Sequence, residues 1–550
     1  MASKVNVTFN ILLVSLAIFL GNVISRLIPV GKEMKYSLGY PVESTYNFTE
    51  LTRHNGYVSE EHTVITKDGY ILTMFRIVKA RNCKGKLISP PVILMHGLLQ
   101  SSDAWLDAGP NAGLAYLLSD ACYDLWVGNQ RGNNYGRRHV HFNPDKDAKF
   151  WQFSIDEIGY YDIPATIDYV LQHTGFKKLN YIGYSQGSGT FFVMCSERPG
   201  YCDKVKILIG LAPAARQTHT KSIPYRIFTE SINGLEPLLS AVGMHEILAK
   251  GAPSQEFLAF FCQLGQITDV ICGTGKAFID SYHPGSITNE TTRILFGHFP
   301  AGTSVHNMAR YGQSMKTDKF QKFDYGKERN LELYGTSEPP NFNLSAVSVP
   351  VMVLYGRSDY LVDPKDIAWL VKNLPNAEAV EVKDPRWNHL DVTYSQYTNE
   401  MIFPKINEYL LNYHSGSVAS DTRRLMFSHI LVGTSLNILV RYGQGIGSGK
   451  FQKFDYGEKI NLERYNSTSA PEYNLTTVTS PVVIIQGKND KMVNVHDAGT
   501  LPAKLPNVLE MEVVSDPHWT HFDMIYSQNI KTMIYPKIYE YLQKYSQIKT

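Results

Sequence analysis

The pentapeptide Gly183-Tyr184-Ser185-Gln186-Gly187 is the sequence feature that most restricts how this chain can fold. It follows the apolar run 179–182 and precedes a stretch with helical character, which places it between a strand and a helix. The turn is so tight that a Cβ at 183 or 187 would clash, so both positions require glycine. The Ser185 hydroxyl would then stand above the edge of a sheet, where a nucleophile is needed. Because glycine and serine also share ordinary turns, other residues must support this interpretation.

Two later segments supply an acid and a base in the chain order that such a nucleophile requires. Residues 350–355 have the apolar pattern of a buried parallel strand, and Asp359 lies in the loop that follows. Residues 377–382 alternate like a further strand and lead to His389. We expect His389 to take the proton of Ser185 and deliver it to the leaving alcohol, while Asp359 fixes the tautomer of the imidazole.

Other roles are open to these residue types. An aspartate after a strand is commonly a turn former or a helix cap, and Asp363, Asp366 and Asp391 compete for the acid role. Most of the 17 histidines must be surface or satisfied core residues. The position of His389 after the last predicted strand favours it over the others.

A third segment is a candidate oxyanion loop. The apolar run 90–95 ends in His96-Gly97-Leu98, and a glycine turn there lets a backbone N–H face the oxyanion of a tetrahedral intermediate. The predicted donors are the N–H groups of Leu98 and Gln186, with His96 and Gly97 supporting the loop. The alternative is a plain strand-to-loop turn with a structural histidine.

Strand and helix patterns alternate from residue 62 to residue 211, which predicts a mostly parallel, doubly wound sheet. An antiparallel hairpin is expected at its entry, around Lys67-Asp68-Gly69. From 215 to 299 the alternation stops and apolar residues recur at helical spacing, as in 232–248 and 257–271. This insertion predicts a helical cap over the serine, whose apolar face serves either as ordinary core or as a lid that opens to lipid.

Composition excludes one class of partner. The 550 residues suffice for a large core, and 53 basic against 51 acidic residues give a net charge of +2. Without a long basic tract, nucleic acid is not expected as a partner. No cofactor or metal is predicted.

The N-terminus has the proportions of a signal peptide. Lys4 precedes the apolar run Ile11 to Leu20, and small residues suited to cleavage lie near 21–25. The run is short for a membrane span, so a secreted or lysosomal luminal protein is expected, with no transmembrane segment in the mature chain. Candidate glycosylation sequons agree with that route; they are Asn47, Asn289, Asn343, Asn466 and Asn474.

A segment of the chain occurs twice. Residues from about 289 to 413 recur at about 420 to 545 with an offset of 131, then 132, residues, so Asp490 and His521 duplicate Asp359 and His389. No second G-x-S-x-G follows residue 187. Two copies of the last strands cannot share one place in a sheet. We assign the working pair to the first copy and expect an appended, non-catalytic module; the alternatives are that it displaces the first copy, or that neighbouring coding segments were joined in error.

Taken together, these motifs resemble the acid lipase family, the lysosomal acid and gastric lipases and their insect relatives. The matching stretches span about residues 35 to 412 and include HGLLQSSDAW at 96–105, YIGYSQG at 181–187, HFPAGTSVHNMARYGQ at 298–313, YGRSDYLVDP at 355–364 and DPRWNHLD at 384–391. The resemblance implies a hydrolase of neutral-lipid esters with Ser185, Asp359 and His389 as its triad. Family members usually carry histidine where Tyr184 stands, a difference expected to affect packing or substrate more than mechanism.

The resemblance also bears on the cysteines and on pH. Cys262 and Cys272 fall where family members carry a cap disulfide; the alternative is two buried free thiols. Cys195 and Cys202 are the next candidates, which leaves Cys83 and Cys122 free, although the sequence does not settle connectivity. Activity at acid pH follows only from the resemblance, because near pH 5 it would require a depressed His389 pKa.

The predicted organisation is an α/β-hydrolase fold with an inserted helical cap and an appended partial repeat. Its parts are a signal peptide at 1–25, the nucleophile-bearing core at 35–214, the cap at 215–299, the acid- and base-bearing core at 300–413 and the duplicated segment at 414–550. The leading function is hydrolysis of neutral-lipid esters at a lipid–water interface. The alternative is a secreted carrier of apolar ligands, which should have lost one of the three catalytic residues. Oligomeric state is open.

Overall fold

The computed structural model describes residues 31–85, 87–262, 266–412, 422, 435–490 and 492–546. The predicted signal peptide lies outside these residues. The chain divides into two compact units, Met1–Leu410 and Leu411–Thr550. No helix in the described ranges is long and apolar enough to cross a membrane.

Eight of the described strands of the first unit fall close to the predicted segments, whereas the two short strands at 246–247 and 303–304 were not predicted. The strands are β1 Val58–Ile65, β2 Ile71–Lys79, β3 Ile88–Met95, β4 Tyr123–Gly128, β5 Leu179–Tyr184, β6 Val205–Leu211, β7 Glu246–Ile247, β8 Thr303–Ser304, β9 Val351–Tyr355 and β10 Ala377–Glu381.

Eight of these described strands form one sheet in the order β1-β2-β4-β3-β5-β6-β9-β10. The hairpin β1–β2 is antiparallel and β2 runs antiparallel to β4, whereas the other neighbours are parallel. This confirms the predicted mostly parallel α/β-hydrolase sheet. Strands β4 and β5 are buried along their whole length, as apolar runs in a sheet covered on both faces must be.

The helices of the first unit lie before, within and after the predicted cap. Those before the predicted cap are α1 Lys32–Ser37, α2 Phe48–His54, α3 Leu114–Asp120, α4 Ile155–Glu157, α5 Ile163–Thr174 and α6 Gln186–Glu197. Those after it are α11 Val305–Lys316, α12 Lys327–Tyr334, α13 Pro364–Asn373, α14 Asp391–Tyr394, α15 Thr398–Met401 and α16 Phe403–Asn412. The sequence sets several of their ends: Asn47 and Glu50 form a capping box on α2, and α5 ends at Gly175 with φ of 73°.

The cap segment contains α7 Ile223–Ala241, α8 Pro253–Phe261, α9 Gln266–Ile279 and α10 Asn289–His298. Two helical spans that the sequence predicted in the cap have the wrong ends. The span 232–248 stops at Ala241, because Gly243 has φ of 78° and β7 then pairs with β8. The span 257–271 covers parts of two helices, since α8 ends at Phe261.

Three disulfides join all six cysteines, which are all described residues: Cys83–Cys122, Cys195–Cys202 and Cys262–Cys272. The prediction that Cys83 and Cys122 are free was wrong. Strand pairing explains the bond, because β3 and β4 begin side by side and the Ile88 N–H donates to the Cys122 carbonyl at 2.7 Å. The two Cα atoms lie 5.1 Å apart although 39 positions separate them in sequence.

The second unit repeats the order of elements found from α11 to α16. Its elements are α17 Leu436–Ser448, α18 Glu458–Tyr465, β11 Val482–Gln486, α19 Val495–Gly499, β12 Val508–Val513, α20 Asp523–Tyr526, α21 Ile530–Met533 and α22 Tyr535–Ser546. Strands β11 and β12 pair in parallel, as β9 and β10 do. No strand corresponding to β6 lies beside β11 among the described residues.

Candidate active site

Ser185 occupies the sharp turn between β5 and α6. Its φ of 50° and ψ of −114° are strained for a residue with a Cβ. A Cβ at Gly183 would lie 2.7 Å from the Gly187 carbonyl carbon, and one at Gly187 would lie 2.4 Å from the Met95 oxygen. The backbone itself therefore requires both glycines, and the turn has the geometry of a nucleophile elbow.

Ser185, His389 and Asp359 meet in one hydrogen-bonded chain. His389 Nε2 lies 2.9 Å from Ser185 Oγ, and His389 Nδ1 lies 2.7 Å from Asp359 Oδ2. The other carboxylate oxygen of Asp359 accepts the N–H groups of Leu361 and Val362 at 2.9 and 2.7 Å. These bonds hold the carboxylate in place, and the carboxylate fixes the imidazole with Nε2 free to accept the serine proton.

The competing aspartates are engaged elsewhere. Asp363 caps α13 by accepting the Lys365 N–H, and Asp366 accepts from Arg216. Asp391 binds Ser286 and lies 2.7 Å from His283 Nδ1. Of the four candidates, Asp359 is therefore the one that the fold brings to His389.

The predicted oxyanion loop lies beside the elbow. His96 is fully buried, donates from Nδ1 to the Gly97 carbonyl at 2.8 Å and accepts the Gln130 N–H on Nε2. Burial lowers the pKa of His96 to about 4, so the ring stays neutral and can accept on Nε2. Gln186 is the first residue of α6, where a backbone N–H has no partner within the helix.

Comparison with known proteins agrees with this geometry. Residues 48–109 match the family described as a partial alpha/beta-hydrolase lipase region, and residues 90–225 match the alpha/beta hydrolase fold. Lipase 1 of Drosophila melanogaster is 37% identical over 386 residues, which are 69% of this chain and 83% of that protein. The chain belongs to the acid lipase family. Human gastric triacylglycerol lipase is 35% identical over 66% of this chain and 90% of its own length, and Drosophila Lipase 3 is 36% identical over 66% and 92%.

Membership decides between the two predicted functions. The chain is a lipase, a carboxylic ester hydrolase, and the comparisons give the carrier interpretation no support.

Two residues that the sequence did not single out hold Gln186. Its side-chain amide donates to Gln130 Oε1, and its Oε1 accepts from Asn307 Nδ2 at 3.0 Å. Gln130 and Asn307 come from the loop after β4 and from α11, and both are buried. No short motif marks them, since their role depends on three distant segments meeting at the first turn of α6.

Tyr184, at the position where the family resemblance predicts histidine, contacts the loop that bears the base. Its hydroxyl donates to the His389 carbonyl at 2.8 Å, and the two rings lie 4.9 Å apart. A Cβ at Gly97 would lie 2.9 Å from the Tyr184 ring, so a larger residue at position 97 would clash with the tyrosine. The predicted effect on packing therefore falls directly on the active site.

Proposed function

We propose that this lipase hydrolyses long-chain acyl esters of neutral lipids, triacylglycerols first and cholesteryl esters next, through an acyl-enzyme on Ser185. The observation that carries the assignment of residues is the unbroken chain from Ser185 Oγ through His389 to Asp359, with separations of 2.9 and 2.7 Å. The choice of lipid is supported by relatives named gastric triacylglycerol lipase.

In the proposed mechanism, Ser185 Oγ attacks the ester carbonyl carbon as its proton passes to His389 Nε2. The N–H groups of Leu98 and Gln186 bind the negative oxygen of the tetrahedral intermediate. The carbon–oxygen bond to the alcohol then breaks, and the alcohol leaves with the proton held on Nε2. Water repeats the sequence on the acyl-enzyme, which releases the fatty acid and restores Ser185.

The cap supports the choice of a lipid substrate. Ser185 and His389 are only 6% and 5% exposed, so part of the protein that covers them must move before a substrate can reach them. Leu98 packs against a cluster containing Ile232 and Leu239 of α7, whereas Ile223 on the same helix is 70% exposed. A helix with apolar side chains both in that cluster and on the surface suits movement from the site onto a lipid surface.

We propose that the protein is secreted or enters a lumen of the secretory pathway. Its three disulfides are typical of an oxidising compartment. The predicted glycosylation sites lie on exposed residues; they are Asn47, Asn289, Asn343, Asn466 and Asn474.

Replacing the nucleophile tests the function. Ser185→Ala should lower kcat on a triacylglycerol emulsion and on a soluble short-chain ester by roughly 10⁴-fold or more, because the acyl-enzyme can no longer form. The same variant should lose covalent labelling by a fluorophosphonate. Ser196→Ala, near the far end of α6, is the matched control and should keep both signals. A purified Ser185→Ala protein that still hydrolyses ester would overturn the proposal.

A further inference from the structure

A buried carboxylate from the cap lies between the acid loop and the base loop. Asp280 directly follows α9 and is 1% exposed. Its Oδ1 accepts the N–H of Tyr360 at 2.9 Å, and its Oδ2 accepts the N–H of Leu390 at 3.1 Å. These two residues directly follow Asp359 and His389, so a single side chain links the two loops.

We propose that Asp280 is a positioning residue of the triad: it holds the acid and base loops together through two backbone N–H groups, and its charge acts on the His389 imidazole. This rests on the proposed function, in which Asp359 and His389 serve Ser185.

The hydrogen bonds of Asp359 show why a second carboxylate is needed. Asp359 uses Oδ1 for the N–H groups of Leu361 and Val362 and Oδ2 for His389, so the neighbouring Tyr360 N–H takes another acceptor. Asp280 supplies that acceptor and, with its second oxygen, reaches the base loop. One oxygen of Asp280 bonds each loop, so a movement of Asp280 relative to either loop would stretch or break one of these hydrogen bonds.

The cap holds Asp280 firmly. Its own N–H donates to the Lys276 carbonyl at 2.9 Å, which continues the bonding of α9 by one residue. The same helix contains Cys272, whose disulfide to Cys262 ties α9 to the end of α8. The position of the cap is therefore transmitted to the loops that carry the acid and the base.

Charge couples the three groups. Burial, and then the negative charge of Asp359, raise the pKa of Asp280 to about 7. Burial by itself lowers the pKa of His389, but the charge and hydrogen bond of Asp359 and the charge of Asp280 outweigh it and raise that pKa. The ionisable groups on the surrounding elements are Asp359, His389, Asp391 and Asp384 on the two loops, Tyr184 at the elbow, and Lys276 and His283 on and after α9.

The test replaces the charge while keeping the shape. Asp280→Asn should move the acidic limb of kcat/KM on a soluble ester to lower pH by up to roughly 0.5–1 unit, because His389 loses a neighbour that becomes negatively charged as pH rises through its pKa of about 7. Its kcat on the plateau should fall roughly tenfold, since an amide cannot accept both N–H groups. Asp280→Ala should show the same shift and a larger fall in kcat with little change in KM.

Asp107→Asn is the matched control, because Asp107 is also a fully buried carboxylate but bonds His298, 2.6 Å from its Nδ1, instead of a backbone N–H of either loop. The Asp107→Asn variant should keep the acidic limb of kcat/KM at the pH found for the parent enzyme. An unshifted limb in folded Asp280→Asn or Asp280→Ala overturns the proposal. Should neither variant fold, Asp280→Glu decides, because it keeps the charge but moves both oxygens away from the two N–H groups: a lower kcat with the parent limb supports the proposal, and an unchanged kcat overturns it. Ser185→Ala, assayed in parallel, separates the two proposals, because its residual activity would refute the function itself.

Discussion

At the scale of single residues, the surroundings of His389 decide at which pH it can take the proton of Ser185 in the proposed mechanism. The ring is buried, which disfavours the imidazolium, but it also lies 2.7 Å from the Asp359 carboxylate, which favours it. Burial is the largest single effect, but the charge and hydrogen bond of Asp359 and the charge of Asp280 together outweigh it, so the pKa of His389 is raised above its ordinary value. A base must be neutral to accept a proton. The raised pKa of His389 therefore narrows the pH range of activity at its acidic end.

This direction leads to a pH prediction. His389 is protonated below its raised pKa and neutral above it, so kcat/KM should fall as pH decreases through that value. We expect the acidic limb on a soluble short-chain ester to lie above about pH 6.5, the ordinary value for histidine. A bound lipid excludes water and adds to the burial effect, so the limb of kcat should lie at lower pH than that of kcat/KM.

The measurement is a pair of pH profiles on one soluble ester, with folding checked at each pH by circular dichroism. The family resemblance implied acid activity, which would need a depressed pKa for this histidine. A kcat/KM limb near pH 5 would therefore contradict the electrostatics described here and support that earlier expectation.

At the scale of elements, the turn between β5 and α6 also lies against the predicted oxyanion loop. A Cβ on Gly187 would meet the backbone oxygens of Met95 and His96 at 2.4 and 2.8 Å. Neither atom belongs to a flexible side chain, so the strand end or the helix start must move. The elbow and the oxyanion loop are consequently positioned against each other.

Gly187→Ala should therefore damage activity more than stability. We expect kcat to fall about 100-fold, because the Leu98 and Gln186 N–H groups separate, and the free energy of unfolding to fall by about 1–3 kcal/mol. Gly234→Ala is the control, since that exposed glycine of α7 has no atom within 4 Å of an added Cβ. Alanine there should leave ester hydrolysis unchanged and raise helix stability by up to about 1 kcal/mol. Kinetics and thermal unfolding of both proteins check this; equal activities would contradict it.

The elements that the sequence predicted are those marked by local patterns. The elbow, the strand before Asp359 and the helix at 163–174 each follow from contiguous residues. Asp280 and the bond between Cys83 and Cys122 did not, because each depends on segments that are distant in sequence and meet only in the folded chain. The helix ends in the cap were misplaced for a related reason, since apolar periodicity continues through the turn after Ala241.

At the scale of the whole molecule, the chain carries two acid–base pairs and one candidate nucleophile. In the second unit, His521 Nδ1 lies 2.8 Å from Asp490 Oδ2, and Asp490 accepts the N–H groups of Met492 and Val493 at 2.9 and 2.8 Å. These three distances equal the corresponding distances around Asp359 to within about 0.1 Å. The local fold of the repeat therefore keeps the acid and the base in contact, although the repeat has no G-x-S-x-G motif of its own.

Two differences distinguish the second pair from the first. Asn307 supports the Gln186 side chain, and the residue 131 positions later is Ile438, which has no amide to donate. The His521 side chain is 41% exposed, compared with 6% for His389. A general base that is open to water lacks the dry surroundings that strengthen interactions in the first site.

We therefore predict opposite outcomes for the two pairs. Replacing both Asp490 and His521 with alanine should leave kcat and KM on a soluble ester unchanged within about twofold, because Ser185 depends on His389 at 2.9 Å. Replacing Asp359 and His389 together should lower kcat by roughly 10⁴-fold or more. Fluorophosphonate labelling and intact mass of each purified protein would confirm that the full chain is present and show whether Ser185 remains reactive. Activity that survives loss of the first pair and disappears with loss of the second would reverse the assignment and make the repeat the working half of the enzyme.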